Sequence, residues 1–173
     1  MYIKFKSSFF VIIILFLFSF LATAKSAENL KKVGKFKDWE TYVMTENNEK
    51  VCFAQSIPVL KSPKKYARNP SRLFISFRPS ENIKNEISVT AGYIFKKKTP
   101  VVAKSGKKTF DFFTQEDFAW MSDNEEEEKF ISAMKKASRV MITGKSDKGQ
   151  KTIDHYSLMG FTKAYNSAKK NCS

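Results

Sequence analysis

The sequence predicts a mainly β protein, because apolar and polar side chains alternate along most of the chain and helical spacing appears in only two segments. In residues 72–78, Leu73, Ile75 and Phe77 occupy every second position, and residues 86–93 repeat the pattern. Strands with one apolar and one polar side are typical of antiparallel sheets that leave one face in water. We therefore expect a packed antiparallel β architecture.

Two hairpins are expected, formed by residues 38–45 with 51–57 and by residues 139–143 with 151–158. Two further short strands are expected at 101–103 and 109–113, with a turn at 105–106 between them. The hairpin turns fall at 46–49 and at 146–149, and the second ends in Gly149, a residue that favours tight turns. Residues 61–70 contain two prolines and are expected to form a loop.

Two short helices are expected in the second half of the chain. Segment 123–137 has apolar residues at helical spacing, Asp123 in the N-cap position and Glu126 three residues later. Its glutamates lie in the first turn and its lysines in the last, which complements the helix dipole and explains the acidic run better than a calcium site does. A second amphipathic helix is expected over 161–168.

The first 24 residues have the pattern of a bacterial secretory signal. Lys4 and Lys6 precede the apolar run 9–21, and the small residues 22–24 form the cleavage pattern. The apolar run is shorter than the about 20 residues that a membrane-spanning helix needs. We therefore expect a cleaved signal peptide at 1–24, with a retained N-terminal anchor as the alternative.

After the signal we expect a basic, poorly ordered segment at 25–37 and a single domain at 38–173. The net charge of +14 is carried mainly by lysine pairs spread along the chain, with only four arginines. Charge of this sign favours anionic surfaces, although a generally solvated lysine surface is the simpler interpretation. Export and the scarcity of arginine both argue against nucleic acid as a partner.

The export signal predicts a periplasmic or outer-membrane-associated protein. The partner we expect is an anionic envelope component or an envelope protein, and peripheral membrane contact and the oligomeric state are left open. Cys52 and Cys172 are the only cysteines, and an even count in an exported protein predicts a disulfide. Two free thiols are the alternative, while a zinc site is disfavoured because the chain has one histidine and no C-x-x-C motif.

The chain offers little sign of catalysis. Asp154, His155 and Ser157 resemble a triad in composition, but adjacent strand residues point to opposite faces, and residues two apart are about 6–7 Å apart. Glu116 and Asp117 are better explained as a solvated turn. No nucleotide, hydrolase or metalloprotease motif occurs. We expect no catalytic residues, no cofactor and no metal; the alternative is an envelope hydrolase with an unrecognised site.

The numerous aromatic side chains are expected to fill the core of a β-sandwich in most cases. They include Trp39, Tyr42, Tyr93, Phe112, Phe113, Phe118 and Trp120. Phe74 differs, because it falls on the polar side of its strand with Arg72 and Arg78. These three residues form a candidate surface for an anionic amphiphile. The alternative, that the helix beginning at Asp123 covers this side, is slightly favoured.

The order of several short motifs resembles the invasion-associated locus B family of exported bacterial proteins. The motifs are Cys52-Phe53-Ala54, Arg78-Pro79, Glu86-Ile87-Ser88, Ala91-Gly92-Tyr93, Ala119-Trp120, Ala133-Met134-Lys135-Lys136, the stretch from Gly144 to Phe161, Ala164 and Cys172. The resemblance implies an immunoglobulin-like antiparallel β-sandwich with one or two short peripheral helices. It also implies a periplasmic or outer-membrane location, a non-enzymatic binding or structural role and, in some members, a part in host-cell entry.

Overall fold

A computed structural model describes residues 30–46 and 48–173 of the protein. The expected signal peptide at 1–24 lies outside the described residues. Eleven strands and two α-helices are present in this part of the chain. They are β1 (Lys31–Phe36), β2 (Trp39–Glu46), β3 (Glu49–Ser56), β4 (Leu60–Ser62), β5 (Arg72–Arg78), β6 (Ile83–Thr90), β7 (Val101–Ser105), β8 (Lys108–Gln115), β9 (Phe118–Trp120), α1 (Asn124–Lys136), β10 (Arg139–Lys145), β11 (Lys151–Ser157) and α2 (Phe161–Asn171).

The strands pair antiparallel in the order β1-β2-β3-β5-β6-β9-β8-β7-β10-β11-β4. Strand β8 belongs to two sheets, because Lys108–Phe112 pairs with β7 and Phe113–Gln115 pairs with β9. We call β1, β2, β3, β5, β6, β9 and the end of β8 the first sheet. The start of β8 with β7, β10, β11 and β4 is the second sheet. This sandwich-like arrangement confirms the predicted mainly β fold class.

Both helices contribute side chains to the core between the sheets. In α1, Phe130 is fully buried, and its ring centroid lies 4.8 Å from that of Phe110. In α2, Phe161 lies 4.9 Å from Trp39 by the same measure. The predicted N-cap of α1 is confirmed, because the carboxylate of Asp123 accepts a hydrogen bond from the Glu126 N–H at 2.8 Å.

The expected hairpins and the strand at 72–78 are confirmed, whereas three strands were not foreseen. Strand β1 corrects the expectation that residues 25–37 are poorly ordered, at least from Lys31 onwards. Its lysine-rich sequence gives a weak local signal, but it pairs with β2 from Lys31 opposite Val43 to Phe36 opposite Trp39. Strands β4 and β9 have three residues each, too few for alternation to be recognised.

A buried ion pair joins the two sheets through the loop between β4 and β5. The Arg68 guanidinium forms a bidentate pair with the carboxylate of Asp154 on β11, and both side chains are 3% exposed. Arg68 also donates to the carbonyl oxygen of Ala91, just after β6, and to the hydroxyl of Ser71, both at 2.7 Å. Both terminal nitrogens of the Arg68 guanidinium and both carboxylate oxygens of Asp154 are thus hydrogen-bonded within the protein.

The predicted disulfide is present between Cys52 on β3 and Cys172 after α2, two residues 120 positions apart. In the chain-entropy model, a bridge across a segment of this length destabilises the unfolded state by about 4–5 kcal/mol. It fixes the end of α2 against the first sheet, where Tyr165 of α2 also packs on Phe77 of β5.

Glu127 is the one buried carboxylate of α1. Its side chain accepts a hydrogen bond at 3.0 Å from the Ile87 N–H, on a part of β6 that extends past β9. Burial raises the pKa of Glu127 to about 7, with smaller contributions from the charges of Glu86 and Asp123, and the Ile87 hydrogen bond opposes this rise. The folded protein therefore keeps Glu127 protonated to a higher pH than the unfolded chain does.

We predict that Arg68→Met and Asp154→Leu each lower the free energy of unfolding by about 3–5 kcal/mol, because each leaves a buried charge unpaired. The double variant should lose less than the sum, by about 1–3 kcal/mol, because no unpaired charge remains. Urea unfolding of the four proteins measures this coupling. Arg139→Met, at an exposed site on β10, serves as the control. Additive losses would contradict the assignment.

We predict that Glu127→Gln removes a pH dependence from stability. With a folded pKa near 7 and an ordinary value near 4.5, Glu127 makes wild-type stability fall as pH rises between these values. The variant keeps a carbonyl oxygen for the Ile87 N–H, so it should gain up to about 3 kcal/mol over wild type by pH 8. Urea unfolding at pH 5 and pH 8 tests this. Glu128→Gln, at an exposed neighbour, should follow the wild-type pH dependence.

Candidate binding site

Six aromatic side chains form a continuous row across the outer face of the first sheet, which we call the aromatic row. Neighbouring ring centroids lie 5.3 to 6.3 Å apart, within the range of favourable aromatic pairs. In spatial order the members are Tyr42, Phe53, Phe74, Phe118, Trp120 and Phe113. Phe113 is the most exposed of them, and the other five are half-buried by one another.

Strand register creates the aromatic row. Tyr42 lies directly opposite Phe53 on the β2–β3 pair, and Phe113 lies opposite Trp120 on the β8–β9 pair. Phe74 lies between these pairs, because its strand neighbours are Gln55 on β3 and Ser88 on β6. Five strands, which lie between residues 39 and 120, therefore supply one surface.

The predicted surface of Arg72, Phe74 and Arg78 is divided by the structure. Arg72 and Phe74 are neighbours on one face of β5, whereas Arg78 lies about 20 Å further along the strand. The Arg78 guanidinium bonds to the Glu86 carboxylate at 2.8 Å, so its charge is compensated. Arg72 makes no salt bridge within the described residues. The use of this surface by a ligand stays a prediction.

The expectation that a helix covers Phe74 is wrong. Helix α1 packs on β6, β7 and β8 through its core-facing side, and α2 packs on the core side of β1, β2 and β3. Phe74 is instead half-buried by Phe53 and Phe118. Of the seven other aromatic residues expected in the core, Trp39 and Phe112 are buried there and Tyr93 packs against it. The remaining four, Tyr42, Phe113, Phe118 and Trp120, belong to the aromatic row outside the core.

A cleft of about 480 Å³ lies at the Tyr42 end of the aromatic row. Strand β1 and the β1–β2 turn border it with Lys35 and Lys37, and β5 borders it with Arg72. The segment after β3 forms the opposite side with Ile57 and Val59, two exposed apolar residues. The cleft therefore combines three cationic side chains with an apolar wall.

The Glu40 carboxylate of the cleft is compensated from within the protein. The Glu40 carboxylate accepts hydrogen bonds from the Lys32 ammonium and the Tyr42 hydroxyl, both at 2.7 Å. The Lys32 hydrogen bond is the main reason that the pKa of Glu40 lies below its ordinary value, and Tyr42 adds to it. Glu40 is thus ionised and already paired. Arg72, Lys37 and Asp38 make no salt bridge among the described residues, so the unpaired charge of the cleft is positive on balance.

The other end of the aromatic row meets a second depression, of about 370 Å³, lined by Trp120, Phe113, Glu86 and Glu127. Sequence reasoning assigned Glu127 to the helix dipole alone and missed its burial. The sequence spacing indicates this burial, because Glu127 lies three residues before Phe130 and four before Ile131 and therefore shares their buried side of the helix. The Glu127 carboxylate accepts a hydrogen bond from the Ile87 N–H, which gives this buried side chain a structural role.

The triad-like run of Asp154, His155 and Ser157 is divided between the two sides of β11. Asp154 points into the core and is held by Arg68, whereas His155 lies on the opposite side of β11. The His155 Nδ1 atom is buried and lacks a hydrogen-bond partner among the described residues. Its backbone carbonyl oxygen accepts from the Val59 N–H at 2.8 Å.

Residues 30–46 and 48–173 contain no group of three or more His, Cys, Asp or Glu side chains placed to hold a metal ion. Within the same residues, neither helix has the length and apolar character required to cross a membrane.

Comparison with known proteins gives a similarity in fold. No protein-family model and no curated protein matches this chain. Among solved structures, the crystal structure of invasion associated protein b from Bartonella henselae is similar, with a TM-score of 0.58 and 11% sequence identity. The similarity covers 80% of this chain and 95% of the other. At this identity the similarity concerns the fold alone.

Proposed function

We propose that this chain is an exported, non-enzymatic envelope protein that binds an anionic amphiphile on the outer face of the first sheet. The observation that carries the proposal is the aromatic row, which runs beside Arg72, an arginine with no acidic partner in the described part of the chain. Aromatic faces suit the apolar portion of such a ligand. A guanidinium suits its phosphate or carboxylate, because its fixed donors match both anions.

The surroundings of Arg72 support an anionic ligand. Lys35 and Lys37 border the same cleft, and the Glu40 carboxylate is already engaged by Lys32 and Tyr42. Without Lys4 and Lys6 of the expected signal peptide the net charge of +14 falls to +12, which attracts anions towards the molecule over a longer range. An acidic head group in the cleft with its apolar portion on the aromatic row would satisfy both halves of the surface.

The proposed location is the periplasm or the outer membrane, after removal of residues 1–24. The signal-like pattern and the Cys52–Cys172 disulfide support export, because such bridges persist in oxidising compartments. The ordered sequence motifs and the distant fold similarity support a place in the invasion-associated locus B family. A role in host-cell entry, as in some members of that family, is the corresponding proposal for this chain.

Export predicts a defined mature protein. Intact-mass measurement of the chain isolated from the envelope of expressing cells should give a polypeptide that starts at Lys25 and lacks the two thiol hydrogens of Cys52 and Cys172. Alkylation without prior reduction should leave both cysteines unmodified. A chain that begins at Met1 in the membrane fraction would show a retained anchor, and alkylated cysteines would contradict export to an oxidising compartment.

Ligand binding is tested with purified lipopolysaccharide as the anionic amphiphile. We expect wild-type binding that weakens as salt is added, because the interaction is partly electrostatic. Arg72→Ser should reduce the affinity about tenfold or more, since a charged hydrogen bond is lost. Phe74→Ser should also weaken binding while the salt dependence is kept.

Arg139→Ser is the matched control, because it removes an exposed arginine of β10 on the second sheet. It should leave lipopolysaccharide binding close to the wild-type level. The proposal fails if wild type does not bind at low ionic strength, or if Arg139→Ser weakens binding as much as Arg72→Ser does. Circular dichroism confirms that each variant is folded before binding is compared.

A further inference from the structure

Four large apolar side chains are exposed together at one end of the sandwich. Ile57, Val59 and Leu60 follow β3 and are 59%, 62% and 48% exposed, and Met159, which precedes α2, is 59% exposed. We call these four residues the tip. Single exposed apolar residues are common on protein surfaces, but a group of them indicates an interaction site.

Hydrogen bonds hold the two segments of the tip side by side. The Val59 N–H donates to the His155 carbonyl oxygen at 2.8 Å, close to Met159 in sequence. The Asp38 N–H donates to the Met159 carbonyl oxygen at 3.3 Å, and the Ser56 hydroxyl donates to the Asp38 carbonyl oxygen at 2.7 Å. The β1–β2 turn thus connects the backbone on both sides of the tip.

Buried neighbours keep the tip side chains directed outward. Pro58 is buried between Ile57 and Val59, while Leu158 and Phe161 are buried on either side of Met159. Gly160 has a positive φ of 90°, and a Cβ atom there would overlap the carbonyl oxygen of Phe36. The turn that presents Met159 is therefore fixed against β1.

Lysines surround the tip. Lys35 and Lys37 lie on β1 and the β1–β2 turn, and Lys61 follows Leu60 directly; all three are exposed. Lys35 approaches the Glu40 carboxylate only to 3.8 Å, and Asp38 and Glu40 are the acidic residues of the neighbouring cleft. Apolar side chains that project from strand ends, with lysines around them, complement a bilayer whose head groups are anionic.

We propose that the tip inserts into the surface of an anionic phospholipid bilayer. Ile57, Val59, Leu60 and Met159 enter the boundary between head groups and acyl chains, and the surrounding lysines contact the phosphates. Lysine suits this position because its apolar stem lies along the boundary while its ammonium reaches the head groups. The inference goes beyond the amphiphile site, because it assigns a membrane surface to Leu60 and Met159, which lie outside the cleft, together with Ile57 and Val59 of the cleft wall.

The test measures binding of protein purified from the envelope to vesicles of phosphatidylcholine with about one third phosphatidylglycerol. Wild type should sediment with these vesicles and bind pure phosphatidylcholine more weakly. The double variant Ile57→Ser, Val59→Ser should lose at least about tenfold in partitioning, because two inserting side chains become polar. Both side chains are exposed, so circular dichroism should show an unchanged fold.

Ile94→Ser is the matched control, because Ile94 is 55% exposed and lies beside the β10–β11 turn at the opposite end of β11. It should bind vesicles as wild type does. An equal loss from Ile94→Ser, wild-type binding by the tip variant, or no wild-type binding at low salt would each overturn the inference. If the tip instead docks a protein, wild type would not bind the vesicles at low salt.

Depth of insertion provides a second measurement. The added fluorescence of Val59→Trp should be quenched by brominated phospholipids, and absence of quenching overturns insertion. Leu60→Ser with Met159→Ser changes only tip residues outside the cleft, so it should weaken vesicle binding and leave lipopolysaccharide binding at the wild-type level. Failure of the lipopolysaccharide experiment and failure of the tip experiment are therefore distinguishable.

Discussion

The fold depends on the buried pair of Arg68 and Asp154. The chain leaves the first sheet after β3, forms β4 at the edge of the second sheet and returns to the first sheet at β5. Arg68 lies on the returning segment, where it bonds to Asp154 of the second sheet and to the Ala91 carbonyl oxygen after β6 of the first. The Arg68 guanidinium therefore fixes the position of the crossing segment against both sheets. It also fixes the position at which β5 begins.

The parts of the fold that follow from the sequence are those whose pattern is local. Alternation in residues 72–78 and helical spacing at 130, 131 and 134 depend on chain neighbours alone, so both elements were predicted correctly. Strand β1 has lysine at three of its six positions and is ordered by pairing with β2. Strand β9 has only three residues, and its place between β6 and β8 is determined by tertiary pairing.

The candidate site shows the same division. That Arg72 and Phe74 share the outer side of β5 follows from the two-residue repeat, but the aromatic row requires the register of β2, β3, β8 and β9 as well. Compensation of Arg78 by Glu86 depends on a pairing that shifts in register between Ser76 and Arg78. Alternation shows which side a residue occupies, and only strand pairing shows which charges and rings meet there.

The disulfide has a consequence for how the protein withstands proteases. Cys52 and Cys172 bracket the chain from β3 to the residue before the last, so everything between them forms a covalently closed ring. A single cut in any loop of this ring, such as residues 61–70 or the turn at 146–149, separates no fragment from the molecule. The two new ends stay joined through the bridge, and the packed core holds them in register. For a chain proposed to work outside the cytoplasm, a single proteolytic cut between the two cysteines therefore breaks the backbone but leaves both parts covalently joined.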